Sequence, residues 1–334
     1  MYPPKLSLTV DALSHGKRID TFLERQLRNY TSWRLQRIIR SGAATIDHML
    51  ASQTDRVFRG QTVGIELLEP PDKLLLPEHI PLPVIYSDHW MAVVDKPAGL
   101  VAHPTGTMQH GTVVNAVQHW IDQRTPFPGL IRPGIVHRLD RQTSGLMAIA
   151  LTHVSHVNLS LSFESSQVAK TYVAIVEGNV KQDSGVIKAA IGRAPTARHV
   201  LMSCRADAKA KKPAQTNYRV LQRFSGYTLV SCRPLTGRNH QIRVHMAHLG
   251  HPLVGDEFYL TRGEFKPFYP TEDDEDSARE VETGLPIRRH ALHAEQLEVA
   301  HPVSGLWMTF RSELPSDFAA TISALSSGHV PAVR

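Results

Sequence analysis

The stretch HRLDRQTSG (137–145) lies between two short apolar runs, IV (135–136) and LMAIA (146–150). Apolar runs bounded by polar and glycine-containing segments are typical of buried strands. We therefore expect the polar stretch to form a turn at the edge of a sheet, with Asp140 between an arginine on each side. Such a carboxylate belongs either to a structural ion pair or to a reactive group kept in its charged form.

Strand-like and helix-like segments alternate over most of the remaining chain. Residues 111–123 and 240–250 show helical spacing, and a glycine ends the second helix. The segments 217–224 and 227–234 alternate like an antiparallel pair across a Ser-Gly turn. Many strands joined by turns, with helices between them, indicate the α+β class: a large, mainly antiparallel (mixed) sheet with flanking helices.

The bulk properties favour a globular protein with a polyanionic partner. The chain has 334 residues, of which 42% are hydrophobic and 20% charged, which suits one large domain and a smaller one. The formal net charge of +6 favours association with a polyanion such as a nucleic acid.

The cysteines and the N-terminal residues indicate the cellular compartment in which the protein is expected. Neither Cys204 nor Cys232 belongs to a CxxC pair, which argues against a disulfide framework or a thiolate zinc site. The N-terminal residues lack the apolar core of a signal peptide, and no window approaches 18 uninterrupted apolar residues. We therefore expect a cytoplasmic protein with no membrane partner.

Proline content predicts the domain boundary. Residues 69–83, EPPDKLLLPEHIPLP, contain five prolines, which interrupt helices and suit an extended linker. We predict a small N-terminal domain at 16–75, a linker at 76–83 and a larger domain at 84–315.

Residues 261–287 interrupt the alternation of strands and helices. Consecutive acids at 272–276 would repel a nucleic acid and one another, so we predict an exposed, mobile loop. A calcium-binding loop is the alternative, but the alternating ligand spacing and the central glycine are missing.

The small domain is basic and partly helical. Residues 17–30 and 31–42 predict two short helices, followed by strand-like runs at 43–47 and 61–69. These helices carry arginines that belong either to a solvated face or to an RNA-binding surface: Arg25, Arg28, Arg34, Arg37 and Arg40.

Four further strings carry a resemblance to a known family. They are DKPAGLVAHP (95–104), HRLDRQTSG (137–145), KTYVAIVEG (170–178) and RPLTGRNHQIRVHMAHLGHPLVGD (233–256). In this order and spacing they resemble the RluA family of pseudouridine synthases over about residues 84–310. The helix–helix–hairpin layout of the small domain resembles the S4 RNA-binding domain, with Asp47-His48 where that family often has an Asn-Gly turn.

The resemblance implies an RNA pseudouridine synthase, an isomerase that needs no cofactor. The favoured partner is large-subunit ribosomal RNA, with transfer RNA as the alternative, and the expected state is a monomer. A non-catalytic RNA-binding or ribosome-assembly protein is the rival from another class. Glycoside hydrolysis is a second enzymatic rival, but it usually needs two carboxylates, and the motifs supply one.

The same resemblance implies a role for each motif residue. Asp140 is the catalytic residue, acting as nucleophile or base, and Arg243 is its ion-pair partner. Tyr172 offers a ring for stacking on uracil and a hydroxyl for proton transfer. Arg138 takes the space that the flipped uridine leaves, and Lys170 contacts phosphate or supports the site.

A histidine series follows the last motif. His245, His248 and His251 are spaced by three, but Gly250 ends the helix before the third of them. No suitably placed cysteine or acid completes a ligand set, so we predict no metal site.

Overall fold

A computed structural model describes residues 5–67, 76–104, 109–124, 132–195, 201–266 and 281–328. The apolar cores divide these residues into two units. One cluster contains only residues from the N-terminal segment that ends at Leu67, and the remaining clusters contain residues from Leu82 onward.

The small unit places two helices against a four-stranded sheet. Its elements are β1 (Lys5–Thr9), β2 (Lys17–Arg18), α1 (Ile19–Gln26), α2 (Ser32–Arg40), β3 (Ala44–Ile46), β4 (Met49–Leu50), β5 (Arg56–Val57) and β6 (Thr62–Glu66). The sheet order is β1-β6-β3-β4, and β2 pairs with β5. The apolar positions expected to face inward on α1, Ile19, Phe22 and Leu23, are buried.

Two features of this unit go beyond the prediction. The predicted domain began at residue 16, but β1 pairs antiparallel with β6 along its full length and so extends the unit to Lys5. Asp47 and His48 both have positive φ, at 47° and 69°, and form the two-residue turn between β3 and β4. The Asp47 carboxylate accepts a hydrogen bond from the Thr62 amide at 2.8 Å, which ties this turn to β6.

The larger unit contains the remaining strands and helices. Its strands are β7 (Val84–Ser87), β8 (Met91–Lys96), β9 (Gly134–Ile135), β10 (Ser144–Ala150), β11 (Ala169–Glu177), β12 (Ser184–Lys188), β13 (Ile191–Arg193), β14 (Met202–Ser203), β15 (Lys209–Lys212), β16 (Gln215–Phe224), β17 (Tyr227–Pro234), β18 (Leu292–Ala300) and β19 (Trp307–Arg311). Its helices are α3 (Val113–Asp122), α4 (His153–Glu164), α5 (Gln241–His248) and α6 (Ser316–Ser326).

One mixed sheet organises this unit. Among the described residues it has ten strands in the order β12-β16-β17-β11-β18-β10-β8-β7, with β19 beside β18 and β9 beside β10. The pair β10–β18 is parallel, and the other pairs in this sheet are antiparallel. The predicted α+β class with a large, mainly antiparallel sheet is therefore confirmed.

Both faces of the sheet are covered, which explains why the run after Gly145 is continuously apolar. Successive side chains on a strand point to opposite faces. On β10, Met147 and Ile149 enter the cluster that α3 and α5 cover, whereas Leu146 and Ala148 enter the cluster that contains Leu159 of α4. The strand that follows the opening motif is thus held between two cores.

Residues at the predicted boundaries pack against the larger unit. Within 76–83, Glu78 accepts hydrogen bonds from the Gly111 amide, and the Leu76 carbonyl accepts one from Asn115 of α3. Beyond the predicted boundary at 315, Phe318 of α6 is fully buried in a cluster with strand β11. The predicted acidic run at 272–276 lies outside the described residues. No helix in the described part of the chain is long and apolar enough to cross a bilayer.

Candidate active site

A pocket of about 430 Å³ lies where the predicted motifs meet. The segment 136–140, strand β11 and the turn into α5 line it. This volume is within the range of pockets that bind small ligands. Five residues predicted from the sequence are among its lining residues: Arg138, Asp140, Lys170, Tyr172 and Arg243.

The loop that carries Asp140 is fixed through its main chain. The Asp140 carbonyl accepts a hydrogen bond from the Thr143 amide at 3.0 Å, which closes the turn. The fully buried Lys96 donates from Nζ to the Arg141 carbonyl at 3.0 Å and to the carbonyls of Pro97 and Leu100. The DKPAG string therefore shapes the support beneath the Asp140 turn.

Two hydroxyls after Asp140 attach the turn to the strand beside it. Thr143 Oγ1 lies 2.8 Å from His290 Nε2, and Ser144 Oγ lies 3.0 Å from His293 Nδ1. All four side chains are buried. Hydrogen bonds between buried side chains restrict their positions, so these contacts help to keep Asp140 in one place.

Gly145 permits the close approach of β10 to β18. Its φ is 112°, and a Cβ at this position would lie 2.3 Å from the Ala294 carbonyl oxygen. Only glycine satisfies both conditions without strain.

Arg289 connects the Asp140 turn to helix α6. Its Nε and Nη2 contact the Asp317 carboxylate at 2.7 and 3.1 Å. Its Nη1 donates to the Gln142 carbonyl at 2.9 Å, and its Nη2 donates to Ser144 Oγ at 3.3 Å. A bidentate arginine–carboxylate pair fixes the guanidinium plane. The turn is thus anchored to the helix that follows β19.

Arg243 contacts Asp140, but Asp256 holds it more closely. Its Nε and Nη2 each lie 2.8 Å from the Asp256 carboxylate, and its Nη1 lies 3.3 Å from Asp140 Oδ2. Its side chain is 2% exposed, as expected for a paired internal guanidinium. Asp256 ends the long string quoted above, yet no pattern in that string marked it as the anchor.

The surroundings of Asp140 favour its charged form. Burial by itself would raise the pKa of this carboxyl. The proximity of His240, the charge of Arg243 and its hydrogen bond outweigh that effect, so the pKa lies below the ordinary value. An ionised carboxylate beside an anchored cation can act as a nucleophile or a base.

Tyr172 lies in the pocket wall, with its side chain part of the apolar core. Burial, reinforced by the nearby Asp140, raises the pKa of its hydroxyl, so the group keeps its proton near neutral pH. A protonated phenol donates hydrogen bonds and offers a ring for stacking, but it does not act as a resting base.

Two basic side chains stand at different depths of the pocket. Arg138 is exposed, whereas burial lowers the pKa of Lys170, whose Nζ lies 5.8 Å from the centre of the Phe163 ring. His137, the first residue of the motif, stacks on that ring at 4.2 Å and accepts a hydrogen bond from the Ala148 amide at 2.9 Å. At the pocket the motif thus combines a histidine with structural contacts, His137, and an exposed arginine, Arg138.

The arginines predicted to bind RNA lie on the small unit and do not line the pocket. Arg37 and Arg40 are exposed on α2, and Arg37 stacks over Trp33 at 4.4 Å. The remaining three are Arg25 on α1, Arg28 after it and Arg34 on α2.

Arg28 extends from the small unit to a basic cluster on the larger one. Its Nη2 lies 3.5 Å from His153 Nδ1, at the start of α4. Burial and the nearby Arg132 lower the pKa of Arg28, and burial together with Arg28 lowers the pKa of His156. Within the described residues, neither Arg28 nor Arg132 forms an ion pair with an acid. Uncompensated cations at this position favour an anionic ligand such as phosphate.

The first histidine of the series, His245, makes structural contacts through both ring nitrogens. His245 Nδ1 lies 2.8 Å from Thr216 Oγ1, and Nε2 lies 2.9 Å from the Ala189 carbonyl. Both ring nitrogens therefore have protein partners. The described residues contain no group of three or more side chains of the usual metal-binding types.

Comparison with known proteins agrees with this geometry. The family described as RNA pseudouridylate synthase matches residues 90–248, which include Asp140, Tyr172 and Arg243. The ribosomal large subunit pseudouridine synthase D of Nitrosomonas europaea is 37% identical over 321 residues, covering 96% of this chain and 88% of that protein. The protein of the same name from Pseudomonas aeruginosa is 37% identical, covering 93% of this chain and 92% of that protein.

A solved structure is also similar to this chain. Human RNA pseudouridylate synthase domain containing 1 matches with a TM-score of 0.52 at 27% identity, covering 76% of this chain and 90% of that one. On the sequence identity, the coverage and the shared fold, the chain belongs to the RluA family of RNA pseudouridine synthases, which are isomerases.

Proposed function

We propose that the protein converts specific uridines of large-subunit ribosomal RNA to pseudouridine, with Asp140 as the single reacting carboxylate and no cofactor. The observation that carries the proposal is the contact between Asp140 and Arg243, because it keeps a carboxylate of the pocket wall ionised. The names of the relatives from Nitrosomonas europaea and Pseudomonas aeruginosa support ribosomal RNA as the substrate.

The reaction needs little beyond these groups. The N1–C1′ bond of a uridine breaks, the uracil turns, and a C5–C1′ bond forms. No atom is oxidised and no group is imported, so a carboxylate, a cation that orients it and a water-excluding pocket are sufficient. Asp140 acts as nucleophile or base, and Arg243 holds it ionised.

The remaining pocket residues act on the RNA. A uridine must leave its stack before it reaches Asp140, at a cost of roughly a few kcal/mol. The exposed Arg138 has the planar cation suited to the vacated space. Tyr172 offers its ring to the uracil, and Lys170 contributes positive charge near the same site.

The small unit is proposed to be an S4-like module that binds RNA away from the pocket. Its support is the basic helix pair with the two-residue turn at Asp47-His48. In this proposal Arg25, Arg28, Arg34, Arg37 and Arg40 contact the phosphate backbone. We propose further that the protein acts as a monomer in the cytoplasm.

Pseudouridine mapping of total RNA tests the function. A strain that lacks the protein should lose pseudouridine at particular ribosomal positions and regain it with the wild-type gene. The Asp140→Asn variant should not restore it, whereas Asp183→Asn, which changes an exposed acid paired with Arg223, should. Loss confined to transfer RNA would overturn the substrate, and full restoration by Asp140→Asn would overturn the mechanism.

A further inference from the structure

His240 lies in the last motif string, but the family resemblance implied no role for it. It immediately precedes α5 in a left-handed conformation, with φ 54° and ψ 21°. Non-glycine residues adopt this conformation infrequently, and the strain is tolerated mainly where a side chain must be aimed. His240 lines the same pocket as Asp140, and its ring stacks near Phe258 at 5.8 Å.

The contacts of Tyr259 determine which ring nitrogen of His240 carries the proton. The Tyr259 hydroxyl oxygen accepts a hydrogen bond from the Met202 amide at 3.1 Å and lies 2.7 Å from His240 Nδ1. Tyr259 is 2% exposed, and a buried hydroxyl proton requires an acceptor. Among the described residues His240 Nδ1 is that acceptor, so the proton of the imidazole is on Nε2.

The Nε2–H group is therefore a neutral donor on the pocket side of the ring. Among the described residues, His240 Nε2 makes no hydrogen bond to a protein acceptor. Burial, with a smaller contribution from Arg243 and against the opposing effect of Asp140, lowers the pKa of His240 to about 4. The ring thus stays uncharged near neutral pH, with one donor in a fixed direction.

We infer that His240 is a catalytic residue whose Nε2–H donates a hydrogen bond to a carbonyl oxygen of the uracil while the base is detached from the sugar. The inference rests on the proposed function, because it concerns the same pocket and the same uridine. It assigns to the Tyr259–His240 pair the recognition of the base, as distinct from the activation of the carboxylate by Asp256 and Arg243.

The charge balance of the reaction explains the need for this donor. When the N1–C1′ bond breaks, its electron pair leaves with the uracil, and the negative charge spreads over N1 and the carbonyl oxygens. The uracil then forms the C5–C1′ bond with an electron pair from C5. A general base removes the proton from C5 and N1 takes up a proton, so the product uracil is neutral and no net proton is gained or lost. His240 neither gains nor loses a proton, because it stabilises the anion through a neutral hydrogen bond.

A glycine variant tests the inference without adding backbone strain. His240→Gly removes the ring at a positive φ that glycine adopts freely. We expect its single-turnover rate of pseudouridine formation to fall by about 10²–10³, as for the loss of one oxyanion donor, with the Kd for the substrate RNA unchanged within about twofold. His248→Ala, an exposed change on the same helix, should keep the wild-type rate. If thermal melting shows His240→Gly unfolded, the comparison uses His240→Phe, which keeps a flat ring at this position but has no side-chain hydrogen-bond donor.

Two results would overturn the inference. A folded variant with a rate within about threefold of wild type would show that no donor acts there. An RNA affinity that falls as much as the rate would assign His240 to binding. In either case Asp140→Asn is assayed in parallel. An active Asp140→Asn variant would overturn the proposed mechanism, whereas an inactive one leaves it standing and confines the failure to His240.

Discussion

Arg243 binds Asp256 through two contacts of 2.8 Å and reaches Asp140 through one contact of 3.3 Å. The guanidinium is therefore positioned by an acid outside the reacting group. This arrangement leaves Asp140 ionised without enclosing it in a bidentate pair. Of these two carboxylates, Asp256 is thus structural and Asp140 is available for chemistry.

Asp256→Asn should separate these two roles. The variant removes the negative charge that anchors Arg243 but keeps an oxygen for the amides of Phe258 and Tyr259. Loss of one partner of a buried pair costs about 3–5 kcal/mol of stability. We expect a rate loss of about 10²-fold through misplacement of the guanidinium, measured by single-turnover assay. Asp183→Asn serves as the surface control, and a wild-type rate for Asp256→Asn would contradict the anchoring role.

Removing both Arg243 and Asp256 should shift the pH dependence of the reaction rate. Protonation of Asp140 abolishes its reactive form, so the rate falls as the pH falls through the folded pKa, which the surroundings of Asp140 hold below its ordinary value in the wild type. In Arg243→Gln/Asp256→Asn the charge and the hydrogen bond of Arg243 are gone, so this pKa rises, although His240 and Arg138 still lower it.

At acid pH the single-turnover rate should therefore stay constant in the wild type and fall with decreasing pH in the double variant. The measurement is the single-turnover rate between about pH 4 and 8 at constant ionic strength. An acid limb at the same pH in both proteins would contradict the assignment of Arg243 as the group that holds Asp140 ionised.

Gly145→Ala should destabilise the protein more than an equivalent change at an open turn. The added methyl group meets the Ala294 carbonyl at 2.3 Å and stands at a positive φ. Gly226→Ala is the matched control, because its φ is also positive but nothing lies within 4 Å of its Cβ. We expect a loss of about 1–3 kcal/mol at Gly226 from the backbone alone and a larger loss at Gly145. Denaturant unfolding checks this order, and equal losses would contradict it.

Arg132→Ala should reduce the salt dependence of RNA binding. If the cluster at the start of α4 binds one phosphate, the slope of log K against log salt should fall by about 0.7–0.9. Arg124→Ala removes an arginine that stacks on Trp120 and should leave the slope unchanged. An equal slope in wild type and Arg132→Ala would exclude Arg132 from the RNA interface.

The sequence predicted the main pocket residues because they lie in continuous strings. HRLD places Asp140 just after a strand, and the last string carries Arg243 on a helix that begins after a turn. The contact between them depends on tertiary packing, and the family resemblance supplied it. Asp256 could not be predicted in the same way, since the chain must fold back after α5 before its carboxylate meets Arg243.

The tautomer of His240 could not be predicted from the sequence either. It depends on a hydroxyl from Tyr259 and on an amide from β14, which the fold brings together from distant parts of the chain. The strand β1 was missed for a related reason. Its partner β6 lies more than 50 residues away, and a five-residue run carries too little periodicity to indicate that pairing.

The Arg289–Asp317 pair has a consequence for the order of events during protein synthesis. The ribosome produces the Asp140 turn well before it produces Asp317, yet this turn obtains part of its support from α6 through Arg289. A nascent chain therefore contains Asp140, the proposed reacting carboxylate, before it has the complete support for it. Competence to modify RNA should accordingly appear late, when α6 has emerged and docked, which limits reaction by unfinished chains still attached to the ribosome.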